Sequence, residues 1–317
     1  MRSESSVRLR GAAALGALMI ALAVAACGTS SSSSTTTGSA PAAGGSAGSS
    51  TGATARGQGP VDVLYAGSLT TLMNNSFGPA FSHATGYTFD GFPAGSSDLA
   101  NQIKGKVRQG DVFLSASPTV NATLEGPGNG SWVSWYAPFA TTSLVIGYNP
   151  HSSFAAALRH EPWYRVITRP GFKLGFTDPK LDPKGVLTVQ ALDRAAATYH
   201  EPALKRIASD QSDLYPEQDL IGRLQSGQLD AGFFYTVEAS AAKIPSVSLA
   251  PVKLSATYTV TVLARAPHQA AADAFIRFLL GSQGAKLLHS VGLTTIAAPK
   301  AVGHGVPAAL GRVIRSY

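Results

Sequence analysis

Three stretches of small polar residues fall where a strand pattern gives way to a helix pattern: Gly67-Ser68, Gly95-Ser96-Ser97 and Asp182-Pro183-Lys184-Gly185. A helix N-terminus presents unpaired N–H groups and the positive end of its dipole. Serine hydroxyls and backbone N–H groups from several such ends make a cradle for an anion. Its donors are neutral, so no counter-charge needs burial. Each hydrogen bond to an ionised oxygen is worth roughly 1.5–3 kcal/mol. Five or six would outweigh an association cost of about 4–15 kcal/mol. Each serine also has a purely structural reading as a helix N-cap. The two readings are compatible, because a cap at a cleft-facing helix end is already aimed at a ligand.

Other chemistries find less support. There is no Gly-x-Ser-x-Gly nucleophile elbow. The seven histidines have no metal spacing, and His160-Glu161-Pro162 lacks the second histidine of a zinc motif. Gly126-Pro127-Gly128-Asn129-Gly130 follows no strand pattern and reads as a surface loop. The carboxylate pairs Asp210/Asp213 and Glu217/Asp219 read as solvated. No basic stripe interleaved with aromatics marks a nucleic-acid face.

The elements that must hold the three turns follow from periodicity. Val61–Ala66, Tyr87–Phe92, Asp111–Ser115, Ser143–Tyr148, Lys173–Phe176, Ala231–Tyr235 and Tyr258–Ala264 read as strands. Helical spacing runs through Leu72, Met73, Phe77 and Phe81, through Leu99–Ile103, and over Leu187–Tyr199, Asp219–Gln225, Ala270–Leu280 and Gln283–His289; Phe154–Leu158 and Trp163–Thr168 read as short helices. This alternation predicts an α/β fold with mostly parallel sheets, and in such sheets ligands sit beyond the carboxyl ends of strands.

The chain opens with Arg2, Arg8 and Arg10, then an apolar run ending in Val24-Ala25-Ala26-Cys27. A basic start, a short apolar stretch and small residues predict a signal peptide over 1–26. The last four residues resemble a bacterial lipobox, which implies lipidation of Cys27 and an extracytoplasmic protein anchored to the outer face of the cell membrane. Residues 27–59 are almost all Ser, Thr, Gly and Ala and predict a disordered linker. The formal charge of +7 falls to about +5 without the signal's three arginines and one glutamate. Cys27 is the only cysteine, so the folded part has neither a disulfide nor thiolate chemistry.

Taken in order, Tyr65-Ala66-Gly67-Ser68-Leu69-Thr70, Pro93-Ala94-Gly95-Ser96-Ser97, Asp111–Ala116, Trp163–Pro170, Lys173–Pro179, Asp182-Pro183-Lys184-Gly185, Ser226–Tyr235 and Phe278–Lys286 resemble the molybdate/tungstate-binding proteins of ABC importers. The resemblance covers about Val61 to Leu293. It implies a two-lobe periplasmic-binding-protein fold of type II with two hinge crossings. Lobe 1 would hold 60–141 plus 262–317, and lobe 2 would hold 142–261. It further implies ligand contacts from Ser68, Ser96 or Ser97, the backbone N–H groups of Lys184 and Leu220, and the Tyr235 hydroxyl. The tungstate-type members complete an octahedral metal with two carboxylates. Asp182 matches the first and Phe234 stands at the second, with Glu238 four positions on. The resemblance thus favours a tetrahedral oxyanion held by neutral donors, with Asp182 as a cap or outer acceptor. An octahedral centre on Asp182 and Glu238 is the other geometry.

The expectation is a monomeric, lipid-anchored solute-binding protein. It would capture molybdate or tungstate as ligand, need no cofactor, touch no nucleic acid and deliver to an ABC permease. The rivals are a binding protein for sulfate, phosphate or a sugar, and an extracytoplasmic hydrolase, which would need a metal constellation.

Overall fold

The structure, a computed structural model, describes residues 56–315. The signal peptide, Cys27 and nearly all of the linker lie outside them. The chain divides into two units, Met1–Ala53 and Thr54–Tyr317, and the described residues belong to the second.

Pro60–Ala66 (β1) is rich in apolar residues, with the β-branched Val61 and Val63, and is buried along most of its length. It lies between Thr88–Ala94 (β2) and Val112–Ser115 (β3), parallel to both. A strand so enclosed needs helices on its faces. One face is covered by the helices Gly78–Thr85 and Gln269–Leu280, where Phe77, Phe81, Phe275 and Phe278 pack with ring centroids 5.1 to 5.8 Å apart. The other face packs Leu99 and Ile103 of the helix Ser96–Lys104 against Leu64 and Phe113.

Trp135–Tyr148 (β4) is a single 14-residue strand serving two sheets. Its first half pairs antiparallel with Ser255–Val262 (β8), which itself runs antiparallel to β3. From Leu144 onward it pairs with Ala231–Tyr235 (β6) and Ser246–Ser248 (β7), while Leu174–Gly175 (β5) lies parallel to β6. Short strands Thr294–Thr295 (β9) and Val302–Gly303 (β10) also pair with β4. Strand order along the main path is β2-β1-β3-β8-β4-β6-β5. Both sheets are therefore mixed, which corrects the expectation of mostly parallel sheets. The cause is β4: a strand that leaves one sheet and enters the next must meet both the returning β8 and the local β6 head to tail.

The change of sheet occurs at Ser143–Leu144 on the way out and at Leu254–Ser255 on the way back, where the Leu144 N–H donates to the Leu254 carbonyl at 2.9 Å. Pairing with the first sheet starts at Ser255. The return thus comes at the beginning of this strand, earlier than the expected boundary at 261/262.

Candidate functional site

Ser68 sits in the tight helical turn Gly67–Leu69 that directly follows β1. Its Oγ shares a 2.7 Å hydrogen bond with the Tyr258 hydroxyl on β8. Two hydroxyls with one bond between them leave one hydrogen free to donate. Ser96 opens the helix Ser96–Lys104 after β2, and its buried Oγ accepts from the Ala116 N–H at 3.0 Å. Its own hydrogen is likewise left over. Ser97, beside it, lines a separate cavity of about 360 Å³ together with Ser117, Pro183 and Thr257.

Asp182 caps the helix Pro183–Tyr199, its Oδ1 accepting from the Lys184 N–H at 2.8 Å. The backbone donor expected at Lys184 is therefore already engaged. The Lys184 side chain has the larger role. Its ammonium, fully buried, lies 2.7 Å from Glu238 Oε1 and 3.2 Å from Glu217 Oε1. Glu238 Oε2 accepts from the Tyr235 N–H at 2.7 Å. Both Glu238 oxygens are thus occupied, which argues against Glu238 as a metal-ligating carboxylate.

Glu217 is where sequence reasoning failed. It was read as solvated, yet it is only 4% exposed. Its helix runs Glu217–Gln225, two residues longer at the start than expected. Glu217 consequently occupies the first helical position and reaches across to Gly67, where an added Cβ would stand 2.6 Å from its Oε2. The same shift makes Leu220 the fourth residue of the helix. The Pro216 carbonyl at the helix start accepts from the Asp219 N–H at 3.0 Å, and the Leu220 side chain packs with Leu224, Leu229 and Phe234. An acidic residue just after Pro216 is a helix-start signal that would have placed the terminus correctly. Tyr258 was also missed, since nothing in a β-branched strand pattern marks one hydroxyl as special.

Gly95 brings the two sheets together from the other side, because a Cβ there would meet the Leu181 carbonyl at 2.4 Å. The Asp98 N–H donates to that carbonyl at 3.0 Å. These approaches collect Ser68, Tyr235, Tyr258, Asp182, Lys184, Glu217 and Glu238, all buried, at the junction of the sheets.

The wall is not neutral, as had been expected; it sets three carboxyls around one ammonium. Burial raises the pKa of Glu217 well above its ordinary value; Asp182 and Glu238 add to the rise and Lys184 opposes it. Burial also raises Asp182 and Glu238. Burial alone would push Lys184 down, but Glu238, Glu217 and Asp182 outweigh it and hold its ammonium above the usual lysine range. The Tyr235 and Tyr258 hydroxyls are driven well up by burial, so both stay protonated and able to donate.

Among the described residues, several buried polar atoms here have no hydrogen-bond partner: Tyr235 Oη, Asp182 Oδ2, Glu217 Oε2 and Thr177 Oγ1. Buried polar groups are normally satisfied, so a cluster of exceptions points to a ligand. Three of their residues, Thr177, Asp182 and Glu217, line a cavity of about 330 Å³ together with Gly95. Hydroxyl donors would suit an oxyanion, and the open carboxylate oxygens would suit a metal centre or a donor-bearing group.

A family model described as bacterial extracellular solute-binding protein matches residues 61–294. A putative ABC transporter molybdenum-binding protein of Haloferax volcanii is 31% identical over 218 residues, 67% of this chain and 68% of its own. The molybdate/tungstate-binding protein WtpA of Thermococcus kodakarensis is 24% identical over 299 residues, covering 76% of this chain and 84% of its own. Among solved structures, the periplasmic molybdate-binding protein of Azotobacter vinelandii has the same fold, with a TM-score of 0.59 at 17% identity, covering 74% of this chain and 98% of that one. The sulfate-binding protein SubI of Mycobacterium tuberculosis superposes with a TM-score of 0.56 at 15% identity over 75% of this chain and 87% of its own. The fold is the two-lobed one of periplasmic binding proteins, and the chain belongs to the family of bacterial extracellular solute-binding proteins.

Proposed function

We propose that this protein binds molybdate or tungstate outside the membrane and hands it to an ABC permease. The observation that carries this reading is the buried set of hydroxyls at the lobe junction, above all the unpartnered Tyr235 Oη beside the Ser68–Tyr258 pair. The relatives named for these oxyanions supply the choice of anion. Ser68, Ser96 and Tyr235 donate to the oxyanion. Lys184, through its ammonium, offsets part of the carboxyl charge that would otherwise repel a dianion. Lobe 1 comprises roughly residues 60–143 and 255–315 and lobe 2 the residues between, with closure by hinge motion at the two crossings. Cys27 carries the lipid anchor, and the protein acts as a monomer on the outer face of the membrane. It is a carrier with no catalytic step.

A second geometry has its own support. Asp182 Oδ2 and Glu217 Oε2 are open acceptors on residues that line one cavity. In this reading they ligate the molybdenum or tungsten directly and make it six-coordinate, as oxygen ligands suit a hard, highly charged metal. Glu217 then takes the part that the sequence could assign only to Phe234 or Glu238.

The test is thermal unfolding of the Thr54–Tyr317 unit with molybdate, tungstate, sulfate, phosphate and a panel of sugars. A ligand at about a thousand times its Kd adds roughly 4 kcal/mol, on the order of ten degrees at this size. A shift with molybdate or tungstate alone is expected. A shift with a sugar and none with any oxyanion would overturn the reading.

A further inference from the structure

The two ends of the first sheet differ in kind. β1 and β3 are parallel, and β8 runs antiparallel to β3, with Val112 opposite Val262. The starts of β1 and β3 and the end of β8 therefore share one pole. Ser68 follows the end of β1 and lies at the opposite pole, by the cleft. The pole away from the cleft is where the chain enters the domain.

At that pole the helix Ser96–Lys104 ends in the turn Gly105-Lys106-Val107-Arg108-Gln109. Val107 is 77% exposed, the highest value among the large hydrophobic side chains of the described residues. It is flanked by Lys106 and Arg108, with Lys104 one turn back. A hydrogen bond from Gln109 Nε2 to the Arg265 carbonyl ties this turn to the segment after β8 and adds a fourth cation. Every polar or ring partner recorded for these cations is neutral. Arg108 lies over the Phe92 ring at 3.4 Å and Arg265 over the Trp132 ring at 4.2 Å. Lys104 donates to Asn129 Oδ1. Among the described residues none of the four belongs to an ion pair. Two of the acids at the same pole, Asp62 and Asp111, face His268 at 3.5 and 3.0 Å instead.

Four cations paired to no carboxylate, around an apolar tip, match an anionic interface with an oily interior. We propose that this turn docks on the anionic phospholipid surface of the membrane. The location fits the proposed lipid anchor, on which this inference rests: roughly thirty residues separate Cys27 from Arg56, and β1 starts at this pole. Lys and Arg side chains are drawn to the headgroup charge within a Debye length, while Val107 enters the interfacial layer. This inference is independent of which solute the cleft holds.

The Thr54–Tyr317 unit contains no cysteine, so Val107→Cys can be labelled at one site with a polarity-sensitive fluorophore. The unit is mixed with phosphatidylglycerol or phosphatidylcholine vesicles at about 50 mM salt and cosedimentation is read beside emission. Binding to phosphatidylglycerol at least about tenfold stronger than to phosphatidylcholine is expected, weakening with salt and shifting the probe to the blue. Lys104→Gln, Lys106→Gln, Arg108→Gln and Arg265→Gln together are expected to reduce that binding at least about tenfold. The same number of substitutions at Lys205, Arg206, Lys243 and Lys253, elsewhere on the surface, is expected to change it no more than about twofold. Equal binding to both lipids, an unshifted probe, or an equal loss in the two charge variants would overturn the proposal.

Discussion

Tyr235 and Ser68 separate binding from folding in a way that can be measured. Among the described residues Tyr235 Oη has no partner, so Tyr235→Phe removes a hydroxyl whose burial is a cost. The unliganded protein is expected to keep or slightly raise its midpoint, while molybdate affinity drops about 10- to 100-fold, as for the loss of one hydrogen bond to an ion. Ser68→Ala leaves Tyr258 unpaired, so it is expected to weaken binding similarly and also to lower stability by about 1 kcal/mol. Calorimetric titration and thermal melts of both variants decide the matter; normal binding by both would remove these residues from the site. Lys184 poses the opposite case. Lys184→Met strands three buried carboxyls, and breaking a buried pair from one side costs about 3–5 kcal/mol. Adding Glu238→Gln removes one of those carboxyls and is expected to restore part of the loss in denaturant melts.

At the scale of elements, the site depends on close backbone approaches between turns. Gly67 faces Glu217 Oε2 at a distance no Cβ tolerates. Gly67→Ala must push the Glu217 carboxylate or its helix away, and it is expected to weaken oxyanion binding with little effect on the unliganded melt. Pairing it with Glu217→Ala should recover binding if the clash is the cause and the carboxylate is not a ligand; continued loss would assign Glu217 to the ligand itself. Much of this element layer was legible in the sequence. The turns at Gly67-Ser68, Gly95-Ser96 and Asp182–Gly185 stand at strand–helix junctions as read, because apolar periodicity reports burial directly. What was not legible depended on an offset of a few residues. A helix start at Glu217 rather than Asp219 turns a presumed surface acid inward. The length of β4 was hidden because its first half, Trp135 to Thr142, mixes polar residues and a proline with apolar ones. Nor does a single sequence show that Lys184, Glu217 and Glu238, up to 54 positions apart, meet in one ion cluster.

Taken as a whole, the molecule puts its tyrosines into two populations. Burial raises Tyr65 to about 12 and drives Tyr235 and Tyr258 well above the ordinary value of 10. Between the unfolded and folded values the native state holds protons that the unfolded chain has released. Stability from these groups is therefore complete below about pH 10 and falls as pH rises through the native values. An ultraviolet titration is expected to show Tyr65, Tyr235 and Tyr258 still protonated above pH 10 and ionising only as the fold is lost. A single smooth step with no link to unfolding would contradict the buried assignments.

The bond between Leu144 and Leu254 joins β4, where it passes from one sheet to the other, to the residue that leads into β8. A hinge placed there bends without breaking the ladders on either side, so closure has to strain this one amide more than its neighbours. Its deuterium exchange thus acts as a clock for opening. With ligand absent the Leu144 amide should exchange faster than Ile146 two residues on, and a saturating oxyanion should slow Leu144 far more than Ile146.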